Sequence, residues 1–228
     1  MNRKALIVGA SGGIGSALYL QLRDTHRVFA ISGQTQEFPD WFVSDYSENS
    51  LKEIAREIDC RFDLVFICNG FLHNESHAPE KRLSRIEPDA MHTSYERNVV
   101  IPAMVLRYFY NHFYRERPTV CALLSARVGS IGDNRTGGWY SYRCAKATLN
   151  MLVKTSATEL ERTYKHLTLV ALHPGTTQSA LSAPFLRQGS HRWVSADETA
   201  QNLERVATAL DPTDTGRFYD WRGEPVEW

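Results

Sequence analysis

Short apolar runs alternate along the whole chain with longer stretches whose apolar residues recur at three and four positions. Residues 5–8 read as a buried strand, 28–31 as a second, 41–43 as a short third, 63–67 as a fourth, 120–124 as a fifth and 167–172 as a sixth. The stretches 13–23, 51–58, 87–114, 142–160 and 198–209 have helical spacing, and 216–219 predicts a last edge strand. Strands that are apolar throughout, each followed by a helix, predict a parallel sheet covered on both faces. Pro102 lies inside the longest helical stretch, so a helix start or a kink is expected there. No repeat, low-complexity tract or linker divides the 228 residues, which predicts one α/β domain over 1–228. Residues 187–193 form the most loop-like interior stretch.

Charge changes this picture only by exclusion. Lys and Arg total 26, as do Asp and Glu, so nothing argues for a nucleic-acid or membrane-surface partner. The first apolar run is too short for a signal sequence, and no later one reaches membrane-crossing length. Cysteines stand at 60, 68, 121 and 144 without a CxxC pair. Cys68 and Cys121 lie in apolar runs, which points to buried thiols in a reducing compartment and a soluble, cytoplasmic protein. The histidines show no HExxH and no paired ligand spacing, so no metal is expected.

Two motifs carry candidate chemistry. The first is the cluster Gly9-Ala-Ser11-Gly12-Gly13-Ile14-Gly15, between a strand and a helix. Gly9 permits a sharp exit, Gly13 leaves room for a cofactor backbone, and Gly15 lets the helix approach the sheet. The N–H groups of the helix start, near Ile14, then face a pyrophosphate, with the Ser11 hydroxyl as a further donor. The spacing G-x3-G-x-G differs from the commoner G-x-G-x-x-G, although Gly12 softens the distinction.

The second motif is Tyr142-Arg-Cys-Ala-Lys146. Four residues on a helix put both side chains on one face, with an axial offset of about 6 Å. A nearby ammonium favours phenolate, so the pair is expected to move the tyrosine pKa down toward working pH. Tyr140 has Cys144 four residues on, which cannot do this.

With these motifs, and with the segment from Leu124 to Asn150, the chain resembles the short-chain dehydrogenase/reductase family over essentially its full length. It is most similar there to the C-factor-like and sniffer-type carbonyl reductase branch. The resemblance implies a Rossmann-like three-layer α/β/α fold with a seven-stranded parallel sheet, an NAD(P)(H) cofactor and proton transfer through tyrosine. It implies Tyr142 as general acid/base, Lys146 as the ribose-binding group beside it, and Asn98 as support for a water relay to the lysine. It further implies Asp45 near the adenine, Asn69-Gly70 under the adenine ribose, and Pro174-Gly175 along the nicotinamide, with Thr176 or Thr177 near its carboxamide. A homodimer or homotetramer through helices 87–114 and 142–160 also follows from the likeness.

This chain departs from the family pattern in three places. Val8 precedes Gly9 where Thr is usual, and Asn69 is displaced by one place in Cys68-Asn69-Gly70. The catalytic serine normally lies three before a glycine; counting back from Gly129 reaches Ala126. Ser125 is the expected substitute if the strand end is twisted or bulged, with Ser130 as the other candidate. The stretch 132–139 reads as an insertion.

The second strand ends at Ser32, where an acidic residue would repel a 2′-phosphate, so NADP(H) is favoured over NAD(H). Phe185, Leu186 and Trp193 are candidates to close over an apolar substrate, and Arg187, His191 or Arg192 to meet an anionic one. Arg127, Arg135 and Trp139 lie near the catalytic segment. The expected reaction is hydride transfer between nicotinamide and a small carbonyl or alcohol. The competing expectation is a cofactor-binding signalling protein of the C-factor type with little turnover, which Ala126 favours and the intact Tyr142 and Lys146 oppose.

Overall fold

The computed structural model describes residues 3–179, 181–185 and 193–228. Seven strands form one sheet: β1 (Arg3–Val8), β2 (His26–Ser32), β3 (Trp41–Val43), β4 (Leu64–Ile67), β5 (Thr119–Leu124), β6 (Leu167–His173) and β7 (Phe218–Asp220). Their order is β3-β2-β1-β4-β5-β6-β7, and every pairing is parallel. Fully buried strands explain the continuous apolar runs. Leu6, Val65, Leu123 and Ala171 pack on one face, and Ile7, Phe66, Ala122 and Val170 on the other.

The first of these faces is covered by α2 (Glu48–Glu57), α4 (Ile101–Phe109) and α5 (Tyr140–Leu160), through Leu51, Val105 and Leu149. The second is covered by α1 (Gly13–Leu22) and α6 (Ala196–Ala209), through Leu18 and Leu203. Three layers result, as expected. Serines mark two helix starts: Ser47 accepts from Ser50 N–H at 3.3 Å, and Ser195 from Glu198 N–H at 3.0 Å.

The stretch expected as one helix over 87–114 is three pieces. It begins as α3 (Pro88–Tyr95), widens into a π-helical segment over Glu96–Val100, and continues as α4. Pro102 has no N–H for the Asn98 carbonyl, and its ring crowds that carbonyl, so the widened turn falls where an α-turn fits worst.

The strand order runs outward in opposite directions from β1 and β4. Their carboxyl ends therefore open a crevice, the usual ligand position in such sheets. Among the described residues, no helix is long and apolar enough to cross a membrane, and no cluster of His, Cys, Asp and Glu could hold a metal.

Candidate active site

The glycine loop leaves β1 at this crevice. Gly9 has φ of 81°, and a Cβ there would stand 3.1 Å from the Asn69 nitrogen. A Cβ on Gly15 would come 2.3 Å from the Gly9 carbonyl oxygen, so only glycine lets the helix start this close to the strand end. The turn closes with Gly12 N–H donating to Gly9 O at 3.1 Å, and Ser11 is half-buried at its tip. No side chain caps α1, which leaves the N–H groups at Gly13, Ile14 and Gly15 for an anion.

Farther along the crevice, Ser32 is buried and its hydroxyl accepts from Gln34 N–H at 3.0 Å. That hydroxyl holds its own turn, and β2 ends with no carboxylate. Asp45 is exposed and accepts from Ser47 N–H at 2.8 Å; the Ser47 hydroxyl, and then that N–H, lower its pKa. Tyr46, which the sequence reading passed over, has φ of 62° and lies beside Gly33, Gly9 and Asn69. Burial raises its pKa, and those neighbours pull it back.

The Asn69 Oδ1 is enclosed without a hydrogen-bond partner. An orphaned acceptor beside an uncapped helix start and a glycine cradle fits a dinucleotide, which brings hydroxyls to the first and phosphates to the second.

Tyr142 lies in the first turn of α5, and Lys146 one turn on, with its Nζ 5.7 Å from the centre of the Tyr142 ring. Lys146 is 2 % exposed and donates to Leu124 O at 2.9 Å. Burial brings its pKa down to about 7. The Tyr142 phenol is pushed up by burial, against the expectation that the ammonium would pull it down. Desolvation outweighs the lysine because that charge is itself unstable in the same dry surroundings.

Asn98 sits in the π-helical segment and is fully buried. Its Oδ1 accepts from Phe71 N–H at 3.0 Å, and its Nδ2 donates to Phe71 O at 2.8 Å and Ser94 O at 2.9 Å. The side chain is thus taken up in clamping backbone. A Cβ on Gly70 would lie 3.8 Å from Asn98 Oδ1 and 3.9 Å from Lys146 Nζ, so the clamp holds the chain beside the lysine.

Both candidate serines make hydrogen bonds within the protein. Ser125 is buried and donates to Asn150 Oδ1 at 2.6 Å, two helical turns beyond Tyr142. Ser130 is buried and accepts from Asp133 N–H at 3.1 Å, bracing the 132–139 loop. Ala126 lines the cavity in front of Tyr142. Ser125 lines the same cavity, and the hydroxyl expected to face a substrate here bonds a buried amide oxygen on α5.

That cavity, of about 580 Å³, is walled by Leu72, Val128, Trp139, Tyr142, Pro174 and Trp193. Trp139 meets Tyr142 edge-on at 6.2 Å. Its two arginines are occupied. Arg127 bonds Asp133 at 2.6 Å, and Arg143 donates to Gly138 O at 2.9 Å and Thr136 Oγ1 at 2.9 Å. Arg135 is exposed and outside the lining. Gly175 has φ of 79° and carries Trp221, whose Cδ1 would lie 2.9 Å from a Cβ there. Thr176 is exposed on the cavity wall, whereas the Thr177 hydroxyl is buried against Thr199 Oγ1 at 2.9 Å. The expected roles of Leu186, Arg187, His191, Arg192 and the Phe185 side chain lie outside the described residues.

Two further residues of the site, besides Tyr46, escaped the sequence reading. Glu80 is 6 % exposed; its carboxylate accepts from Ser141 N–H at 3.1 Å and from the Ser141 hydroxyl, and its carbonyl accepts from Trp139 N–H at 2.5 Å. It caps a helix that begins with Trp139 in the left-handed region at φ 54° and no side-chain cap of its own. His173 ends β6 and lines the cavity. Its position just before Pro174-Gly175 was the one available signal.

No protein-family model matches the chain. The C-signal of Myxococcus xanthus is 35 % identical over 107 residues, covering 47 % of this chain and 60 % of that one. A 1-hydroxy-2-glutathionyl-2-methyl-3-butene dehydrogenase of Rhodococcus is 26 % identical over 234 residues, 98 % of each chain. Among solved structures, the carbonyl reductase Sniffer of D. melanogaster superposes with a TM-score of 0.84 at 17 % identity, covering all of both chains. An NADPH-bound carbonyl reductase from chicken fatty liver superposes with a TM-score of 0.83 at 21 % identity, covering all of this chain and 94 % of that one. The two structures establish the fold. With the sequence relatives, they make the chain a Rossmann-like α/β protein similar to oxidoreductases of the short-chain dehydrogenase/reductase family. The proteins it is similar to include the C-signal and sniffer types.

Proposed function

We propose that the protein is an NADP(H)-dependent oxidoreductase that interconverts small neutral carbonyl compounds and their alcohols, with Tyr142 moving the proton. The observation that carries this reading is Tyr142 in the cavity lining with the buried Lys146 Nζ 5.7 Å from its ring centre. A bound nicotinamide dinucleotide supplies or accepts the hydride. The first-turn amides of α1 would hold its pyrophosphate, and Asn69 with Lys146 its ribose hydroxyls.

The chain's own residues then have separable tasks. Burial keeps the Tyr142 phenol protonated at neutral pH, ready to donate to a carbonyl oxygen. Lys146, with a pKa brought to about 7, can hand on a proton in either direction near neutrality. Asn98 fixes the Gly70–Phe71 backbone beside that lysine. Leu72, Trp139 and Trp193 keep water from the reacting atoms. Paired arginines and apolar walls favour an uncharged substrate.

The absence of a carboxylate at the end of β2 supports NADP(H) over NAD(H). Exposed Met91, Tyr95 and Met151 lie on α3 and α5, the helices expected to pair in a homodimer or homotetramer. Four free thiols suit a cytoplasmic, reducing compartment.

Fluorescence titration with NADPH and NADH, followed by a panel of aldehydes and ketones, tests the reading. Tighter NADPH binding and carbonyl-dependent NADPH oxidation are expected. The missing hydroxyl at Ala126 favours a second reading, a cofactor-binding signalling protein. Tight binding with no oxidation on any carbonyl would select it.

A further inference from the structure

His173 lies one step beyond the Leu124–Leu172 pair, which sets it beside Ser125, and it pairs in register with Asp220 of β7. Side chains alternate along a strand, and Leu123 and Ala171 belong to the core under α5. Two residues on, Ser125 and His173 therefore share that same face, where Ser125 meets Asn150 of α5. This face opens into the cavity lined by Ala126, Tyr142 and His173.

The nearby charges make their bonds elsewhere, and Asp220 and Arg127 act on the imidazole through space in opposite directions. Asp220 accepts from Arg222 N–H at 2.8 Å and Glu224 N–H at 3.1 Å and lies 3.5 Å from the Arg222 guanidinium. Arg127 is turned to Asp133. The His173 Nδ1 is enclosed without a hydrogen-bond partner. Most buried polar groups are satisfied, and leaving one open costs stability. Burial also drives the His173 pKa down to about 4, so at neutral pH the ring is uncharged and keeps one N–H. The tautomer with that proton on Nε2 leaves only a lone pair on the enclosed nitrogen.

We propose that His173 is a substrate-contacting residue, donating an imidazole N–H to the carbonyl oxygen that Tyr142 protonates, on a wall where Ala126 has no hydroxyl and the Ser125 hydroxyl bonds Asn150. The proposal rests on the oxidoreductase reading and adds to it a named contact. His173 forms and breaks no covalent bond: it lends a hydrogen bond and keeps its proton.

The test uses the full chain with NADP⁺ and benzil, a neutral diaryl diketone, in a complex that cannot turn over. Heteronuclear NMR of the imidazole, with His173→Gln for assignment, should show the His173 N–H signal moving as benzil is added. His173→Ala should weaken benzil binding about tenfold, the loss of one useful hydrogen bond, while NADP⁺ affinity stays within about twofold. His173→Gln, which restores an N–H donor, should recover part of the loss. An unmoved signal with unchanged benzil affinity in His173→Ala would overturn the contact, as would failure of benzil to bind the wild-type complex. A wild type that shows the contact but oxidises no NADPH would remove the oxidoreductase reading and leave the contact standing.

Discussion

Glu80 and Ser141, 61 residues apart in sequence, meet at the start of α5, one residue before Tyr142. A buried carboxylate placed there satisfies helix N–H groups and complements the helix dipole. Glu80→Ala should lower stability by about 1–2 kcal/mol, as for loss of a strong cap. It should also lower kcat more than it raises KM, because Tyr142 loses its fixed position. Glu80→Gln should fall between the two. Denaturant melts and steady-state kinetics on both variants check this.

Gly15 tolerates nothing larger. A Cβ there lies 2.3 Å from the Gly9 carbonyl oxygen, so Gly15→Ala must push α1 from the strand end. The expected result is a loss of NADPH affinity of at least about tenfold, with a cost of about 1–3 kcal/mol from overpacking. Titration of NADPH fluorescence and a thermal melt report the two effects.

Lys146 gives a pH signature with a definite sign. Its folded pKa of about 7 lies below the ordinary 10.5. Across that window the unfolded chain holds a proton that the folded chain lacks, so stability rises with pH; below about 7 both states are charged and the slope vanishes. Between pH 7 and pH 9 the cofactor-free protein should gain about 2 kcal/mol relative to Lys146→Met. Denaturant unfolding of both proteins at the two pH values measures it. An equal change in both would show that Lys146 is not the titrating group.

Ser125 should behave as a structural residue. Ser125→Ala leaves the buried Asn150 Oδ1 without its donor and should cost about 1–3 kcal/mol, while kcat changes by less than about threefold. Ala126→Ser places a hydroxyl on the cavity wall instead and should raise kcat on carbonyl substrates. Kinetics and melts of the two single variants distinguish these roles.

The sheet was legible because its central strands are buried on both faces and so carry continuous apolar runs, as in residues 5–8 and 64–67. Tyr142 and Lys146 were legible because a helix places fourth neighbours together. What escaped the sequence depends on partners far along the chain. Nothing near Glu80 announces a helix cap 61 residues away, and the Ser125 hydroxyl direction is decided by Asn150. The π-helical turn at Asn98 leaves apolar spacing intact, so 87–114 read as one helix. The Tyr142 pKa moved opposite to expectation because the Tyr–Lys spacing carries no information about desolvation.

The proton role of Tyr142 is tested most directly by following NADPH consumption with a carbonyl substrate in wild type and Tyr142→Phe. The phenylalanine ring fills the same space without the hydroxyl. Turnover should fall about hundredfold or more, with NADPH binding retained. Full turnover by Tyr142→Phe would contradict the mechanism.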